Sequence, residues 1–183
     1  LLGPAPVLRK DRGVNLGDLG DLNPREPFTL AAWVFVPEGA KDGGAILARM
    51  GGEEERFRGW DFFVRDEQFG IHMINNWPSV ALKVASQEKV VKRGDWHHLV
   101  VSYDGSTRAD GVTLYCDGIE VGANRERDSL EGPIHSHFPL RLGQREKGDK
   151  LDGVAVQDVR VFGRRLDPAE SGALAAAPRL PEL

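Results

Sequence analysis

Along most of this chain apolar side chains recur at every second position in short runs, and glycine, proline, asparagine or aspartate breaks each run. A period of two is that of half-buried β-strands. The stretch FTLAAWVFV sets Phe28, Leu30, Ala32, Val34 and Val36 on one side, and Pro37 ends it. AILARM, ALKVAS, DWHHLVVSYDG, PLRLGQ and VAVQDVRVF read as further strands, and GVNLGDLGDL as a short strand and turn. VTLYCDGIEVG reads as a hairpin turning at Asp117-Gly118, a pair suited to a type I′ turn. About ten strand candidates at this spacing predict an all-β antiparallel sandwich.

The pattern is most informative in GWDFFVRDEQFGIHMINNWP, residues 59–78. A turn at Asp66-Glu67 sets Arg65 opposite Gln68, and then Val64 faces Phe69, Phe62 faces Ile71 and Trp60 faces Met73. That face is large and apolar throughout and belongs to the core. The other carries Asp61, Phe63, Arg65, Gly70, His72, Ile74 and Asn76, with Asp61 directly across from His72. A slip of one residue scatters the apolar set over both faces, so burial fixes the register. One segment carries helical signals: LDPAESGALAAA offers Asp167 as cap, Pro168 at the first helical position and Glu170 three residues after the cap. It predicts a short C-terminal helix.

Composition narrows the setting. With 183 residues and 40% hydrophobic content the chain suits a single domain with a substantial core. A net charge of −4, with no Lys/Arg run interleaved with aromatics, argues against nucleic acid as a partner. No apolar stretch approaches the roughly 18 residues that span a bilayer, and LLGPAPVLRK lacks a signal peptide's charged n-region and long h-region. The expectation is that the chain itself neither spans a membrane nor directs export. Cys116 stands alone, so no internal disulfide can form and the redox compartment stays open. Residues 174–183 read as a linker, and with the abrupt start they suggest one domain, residues 1–183 with its core at about 10–173, taken from a larger protein.

Taken in order, FTLAAWVFV, GDWHHLVVSYDG, VTLYCDGIEVG, PLRLGQ and VAVQDVRVFGRRLDPAE resemble the LamG-like (laminin G, concanavalin A-like) jelly-roll family. More narrowly, ILARM, GWDFF, IHMINNWP, ALKV and GDWHH are similar to the LamG-like domain embedded in large planctomycete proteins that also carry cytochrome c-like domains. The resemblance implies two curved antiparallel sheets, binding of carbohydrate or protein partners at the concave face or rim loops, and an extracytoplasmic location, periplasmic or secreted. In many members it also implies a calcium ion. Two positions depart from the family's pattern. In Val156-Gln157-Asp158-Val159-Arg160 a glutamine stands where many members have an acid, which weakens calcium as a cofactor; Cys116 replaces an aliphatic residue before Asp-Gly, a core exchange. Oxygen ligands exist at Asp18, Asp21, Asn23 and Asp158, but without the dense spacing of a calcium loop, so no metal or cofactor is assigned.

The polar face of the hairpin supplies the candidate binding residues. Asp61 can orient the His72 ring and leave its other nitrogen for a ligand hydroxyl; the competing reading is a structural cross-strand pair. Asn75 and Asn76 offer amide donors and acceptors, and Trp77 a flat apolar face for a sugar ring. Against this stands a strand-ending turn in which Pro78 restricts Trp77 and the indole packs inward. The Ile-Asn-any-Trp-Pro pattern of the resembled subfamily favours Asn75 and Trp77 over Asn76. Arg49, one strand earlier, is expected to reach Asp61 or a ligand carboxylate or sulfate, with a surface salt bridge as the alternative. His97 and His98 point to opposite faces of a strand, and His135 and His137 share a face if extended but have no third ligand close by in sequence.

Glycoside hydrolases of this fold carry Glu-any-Asp-any-any-Glu on one strand to set two carboxylates about the scissile bond, and no strand here has it. The sequence thus points to a non-catalytic carbohydrate-binding module that uses Arg49, Asp61, His72, Asn75 and Trp77, with no catalytic residue. Two alternatives stand beside it. One is a structural or protein-interaction domain packing against neighbouring domains of the same polypeptide; the other is a glycoside hydrolase with Asp61 as its acid.

Overall fold

Residues 6–9, 13–40 and 43–176 are described by a computed structural model. In chain order they form β1 (Val14–Asn15), β2 (Phe28–Phe35), β3 (Gly44–Met50), β4 (Gly59–Arg65), β5 (Gln68–Asn76), β6 (Val80–Ser86), β7 (Trp96–Tyr103), β8 (Val112–Cys116), β9 (Ile119–Val121), β10 (Ala123–Asp128), β11 (Arg141–Leu142), β12 (Ala155–Phe162) and α1 (Pro168–Ala176). The strands make two antiparallel sheets, ordered β1-β11-β3-β4-β5-β6-β10 and β12-β2-β7-β8-β9. The expected sandwich is therefore present. No helix among the described residues is long and apolar enough to cross a membrane.

The two inner faces share one core. Phe28, Leu30, Ala32, Val34 and Val36 meet Trp60, Phe62, Val64, Phe69, Ile71 and Met73, all buried. Each large apolar side chain so removed from water stabilises the fold by about 1.5–3 kcal/mol. That burial sets the hairpin in the register the pattern predicts, with Trp60 opposite Met73, Asp61 opposite His72, Phe62 opposite Ile71 and Arg65 opposite Gln68. Its turn has Asp66 and Glu67 at φ 52° and 65°, the primed geometry that matches strand twist. Asp117 and Gly118, at φ 53° and 80°, turn β8 into β9 in the same way.

The helix starts where its signals place it. The Glu170 backbone N–H donates to Asp167 Oδ1 at 2.8 Å and the Asp167 N–H to Glu170 Oε2 at 3.0 Å, a reciprocal cap. Leu174 then packs on Ala31, Val100 and Tyr115, so α1 rests on the outer face of the five-stranded sheet. The helix takes up residues 174–176 of the expected linker, and the rest of that linker lies outside the described residues.

Two elements differ from the sequence pattern. ANRERD forms β10, an edge strand with no apolar alternation, whose charged side chains suit an edge that must not pair further. PLRLGQ pairs only over Arg141–Leu142, after which residues 143–151 leave the sheet as a loop. The Gly143 N–H donates to the Ile46 carbonyl, the Glu146 N–H to that of Met50, and the Ala45 N–H to that of Asp149, which ties this loop to β3.

Candidate functional site

Alternation in β4 and β5 turns Asp61, Phe63, His72 and Ile74 to the outer face of the seven-stranded sheet. Neighbouring strands add Ala48 opposite Asp61, Lys83 opposite His72 and Ala81 opposite Ile74. Small Ala48 leaves space above Asp61, and Arg145 of the 143–151 loop reaches into it. Asp61 has no exposure to water. His72 Nδ1 lies 2.7 Å from its Oδ1, and Arg145 Nε donates to its Oδ2 at 2.5 Å. Arg145 Nη1 continues to Asp149 Oδ2 at 2.5 Å, and Arg65 Nη2 donates to Asp149 Oδ1 at 2.8 Å.

Burial alone would push the Asp61 carboxyl up, but the charges and hydrogen bonds of Arg145 and His72 outweigh it and hold the group well below the usual carboxylate range. Burial likewise works against the Arg145 charge, and Asp61 and Asp149 overcome it and raise its pKa. An ionised carboxylate only accepts hydrogen bonds, so His72 carries a proton on Nδ1 and donates it to Asp61. Nδ1 then has no lone pair for Arg145 Nη2, 3.4 Å away. His72 Nε2 has no hydrogen-bond partner among the described residues, and His72 lines a pocket of about 170 Å³.

That pocket has an apolar side, with Ile74 and Trp77, and a cationic side, with Arg65, Lys83 and Arg145. Trp77 packs on the Met50, Ile74 and Ala81 cluster and meets the His72 ring edge-on at 5.9 Å. Phe63 backs the same imidazole at 4.6 Å. The Arg127 guanidinium lies 5.8 Å from the Trp77 ring centroid, so the indole is a half-buried wall and not a free platform.

Of the five residues expected to bind ligand, Asp61, His72 and Trp77 come together, and Arg49 and Asn75 do not join them. β3 does neighbour β4, but Arg49 pairs with Trp60 and so shares the inner face, while Ala48 stands beside Asp61. Arg49 is 3% exposed; its Nη1 donates to Asp18 Oδ1 at 2.7 Å and to the Leu19 carbonyl at 2.8 Å, and its Nε to the Ser136 carbonyl at 3.1 Å. The expectation that it reaches Asp61 is thus corrected, and Arg145 makes that contact. Asn75 Nδ2 donates to the Pro133 carbonyl at 2.7 Å, which commits the amide to a neighbouring loop. Arg145 lies 84 residues from Asp61 in sequence, in a loop without periodicity, and no local signal marks it. Lys83 was within reach of the pattern: carrying the hairpin register one strand further sets it opposite His72.

The calcium candidates are engaged elsewhere. Asp18 holds Arg49, Asp21 lies 2.8 Å from His135 Nδ1, Asn23 accepts from the Arg25 N–H, and Asp158 pairs with Arg160. His137 stacks on Phe138 rather than joining His135. Among the described residues one set of metal-type donors converges, His97, Cys116 and Asp117. Its chemistry is already spent. His97 Nε2 accepts the Lys92 N–H at 3.0 Å and Nδ1 lies 2.8 Å from Asp117 Oδ2, while burial, with Asp117 beside it, pushes the Cys116 thiol up to about 12. This group clasps the β8–β9 turn.

Residues 8–170 match the family model of the concanavalin A-like lectin/glucanases superfamily. No curated protein matches the chain. Among solved structures it is similar to the binding domain of Paraclostridial mosquitocidal protein 1, with a TM-score of 0.66 and 15% identity over 92% of this chain and 42% of that one. It is similar also to the CBM40 of the Ruminococcus gnavus IT-sialidase, with a TM-score of 0.66 and 11% identity over 90% of this chain and 96% of that one. A third is domain 4 of AbnA, a GH43 extracellular arabinanase from Geobacillus stearothermophilus, in complex with arabinotriose, with a TM-score of 0.55 and 17% identity over 93% and 76% of the two chains. The chain thus spans less than half of the mosquitocidal-protein structure it matches. At these identities the likeness is one of fold.

Proposed function

Because the chain belongs to the concanavalin A-like lectin/glucanases superfamily, we propose that it is a non-catalytic carbohydrate-binding module holding a glycan on the outer face of its seven-stranded sheet. The observation that carries this reading is the buried network of His72, Asp61 and Arg145, which fixes an imidazole and a guanidinium at the mouth of a pocket walled by Trp77. Rigid polar groups beside an apolar wall suit a sugar, whose ring has apolar C–H faces and an edge of hydroxyls. His72 Nε2 meets a hydroxyl and Trp77 the ring, while Arg145 and Lys83 flank them. Asp61 positions the other two and touches no ligand. The similar structures support a binding role by their own descriptions: a binding domain, a CBM40 and an arabinanase domain with arabinotriose.

Hydrolysis fits the site poorly. A glycosidase acid must hold a proton near neutral pH. Asp61 is held ionised, with Oδ1 taken by His72 and Oδ2 by Arg145, and among the described residues no carboxylate lines the pocket. The module's place is within a larger extracytoplasmic protein, of the planctomycete type with cytochrome c-like domains that the sequence resembles.

A glycan array of the wild-type chain beside His72→Ala and Trp77→Ala, with and without a calcium chelator, tests the proposal once circular dichroism shows all three folded. Each substitution is expected to weaken binding by about tenfold or more, or about 1.4 kcal/mol. A folded wild type that binds no glycan would sink the carbohydrate reading and favour a domain that packs on its neighbours.

A further inference from the structure

The pocket beside Trp77 is one-sided in charge. Arg65, Lys83 and Arg145 line it, and among the described residues no carboxylate does. The acids that pair with these cations stand back from the opening. Asp61 is buried beneath it, Asp149 sits between Arg145 and Arg65, and Glu126 lies on edge strand β10, 2.7 Å from Lys83 Nζ. Arg127, over Trp77, adds a further cation at the margin.

Donor capacity remains in these groups. A guanidinium has five N–H bonds and an ammonium three. Arg145 commits Nε to Asp61 and Nη1 to Asp149, whereas Nη2 faces a ring nitrogen that already carries a proton and offers it no lone pair. Lys83 has Glu126 as its salt-bridge partner, which leaves N–H bonds to spare. Neutral hydroxyls do not call for such a set of cations; a carboxylate or sulfate does, because charge-assisted bonds to a planar guanidinium are about twice as strong as neutral ones.

We infer that this pocket seats an anionic substituent, a carboxylate or sulfate on the sugar, between Arg145 Nη2 and Lys83 Nζ with the ring against Trp77. The inference rests on the glycan-binding reading and narrows it to acidic glycans. At about 170 Å³ the pocket is smaller than the roughly 300–1,000 Å³ that enclose a whole small ligand, so it is a subsite for one charged unit of a longer chain.

Affinities of the wild-type chain and Lys83→Gln for oligogalacturonate, its neutral methyl ester and a sulfated galactan oligosaccharide, each at low and high salt, test it. Wild type is expected to hold an acidic oligosaccharide at least about tenfold more tightly than the neutral ester, with the advantage shrinking in salt. Lys83→Gln is expected to lose most of that advantage. The stronger of the two acidic ligands identifies carboxylate or sulfate as the group. Equal binding of acidic and neutral ligands overturns the inference and leaves glycan binding standing. An acid preference that survives both Lys83→Gln and Arg145→Gln places the anion elsewhere and overturns it too. Binding of no oligosaccharide by a folded chain removes the proposed function, and this inference with it.

Discussion

An ionised carboxylate with no water around it costs several kcal/mol to bury unless its partners are close and correctly aimed. Asp61 has two such partners, and removing Arg145 takes away the guanidinium that balances its buried charge. Arg145→Gln is expected to lower stability by about 3–5 kcal/mol in urea melts, and Asp61→Ala to lower it by less, because Arg145 keeps Asp149 as a partner. The pH dependence follows from the direction of the Asp61 shift. Its folded pKa lies below the unfolded value of about 3.9, so its contribution is complete above about pH 4 and is lost as pH falls through the depressed folded value. The penalty of Asp61→Ala should therefore be greatest near neutrality and shrink on acidification below about pH 4. A penalty that is constant with pH would contradict the assignment of an ionised Asp61.

At the scale of elements, β4, β5 and β6 place Asp61, His72 and Lys83 by register, and close packing of their backbones keeps that register. A Cβ on Gly70 would lie 2.0 Å from the Val84 carbonyl oxygen of β6. Gly70→Ala is thus expected to force these strands apart, with a loss of about 1–3 kcal/mol in thermal or urea unfolding and a weakened ligand pocket. The hairpin was legible from sequence because its two faces differ so strongly in polarity that one register buries every large apolar residue. Arg49 misled for a local reason. Leu47 and Arg49 share a face, and since Leu47 enters the core, Arg49 follows it inward at the strand end. β10 was hidden by its charges, which protect an edge instead of marking a buried side. Arg145 was hidden by distance, because a loop that folds back over a sheet carries no period to read.

Over the whole molecule, the two outer faces have separate uses. The five-stranded sheet carries α1, and the seven-stranded sheet carries the polar network and its pocket. The sequence pattern was sufficient for the sandwich, since alternation and turn residues dictate layers of strands. The pocket was less legible, because one sandwich supports many functions and its cations are assembled from β4, β6 and a loop far along the chain. The account stands on where a glycan binds. ¹H–¹⁵N correlation spectra recorded while titrating in an oligosaccharide that binds on the array map that position directly. The expected result is that perturbations centre on His72, Trp77, Lys83 and Arg145, including the Trp77 indole N–H. Perturbations confined to the rim segments 21–25 and 132–138, with these four residues unmoved, would contradict it.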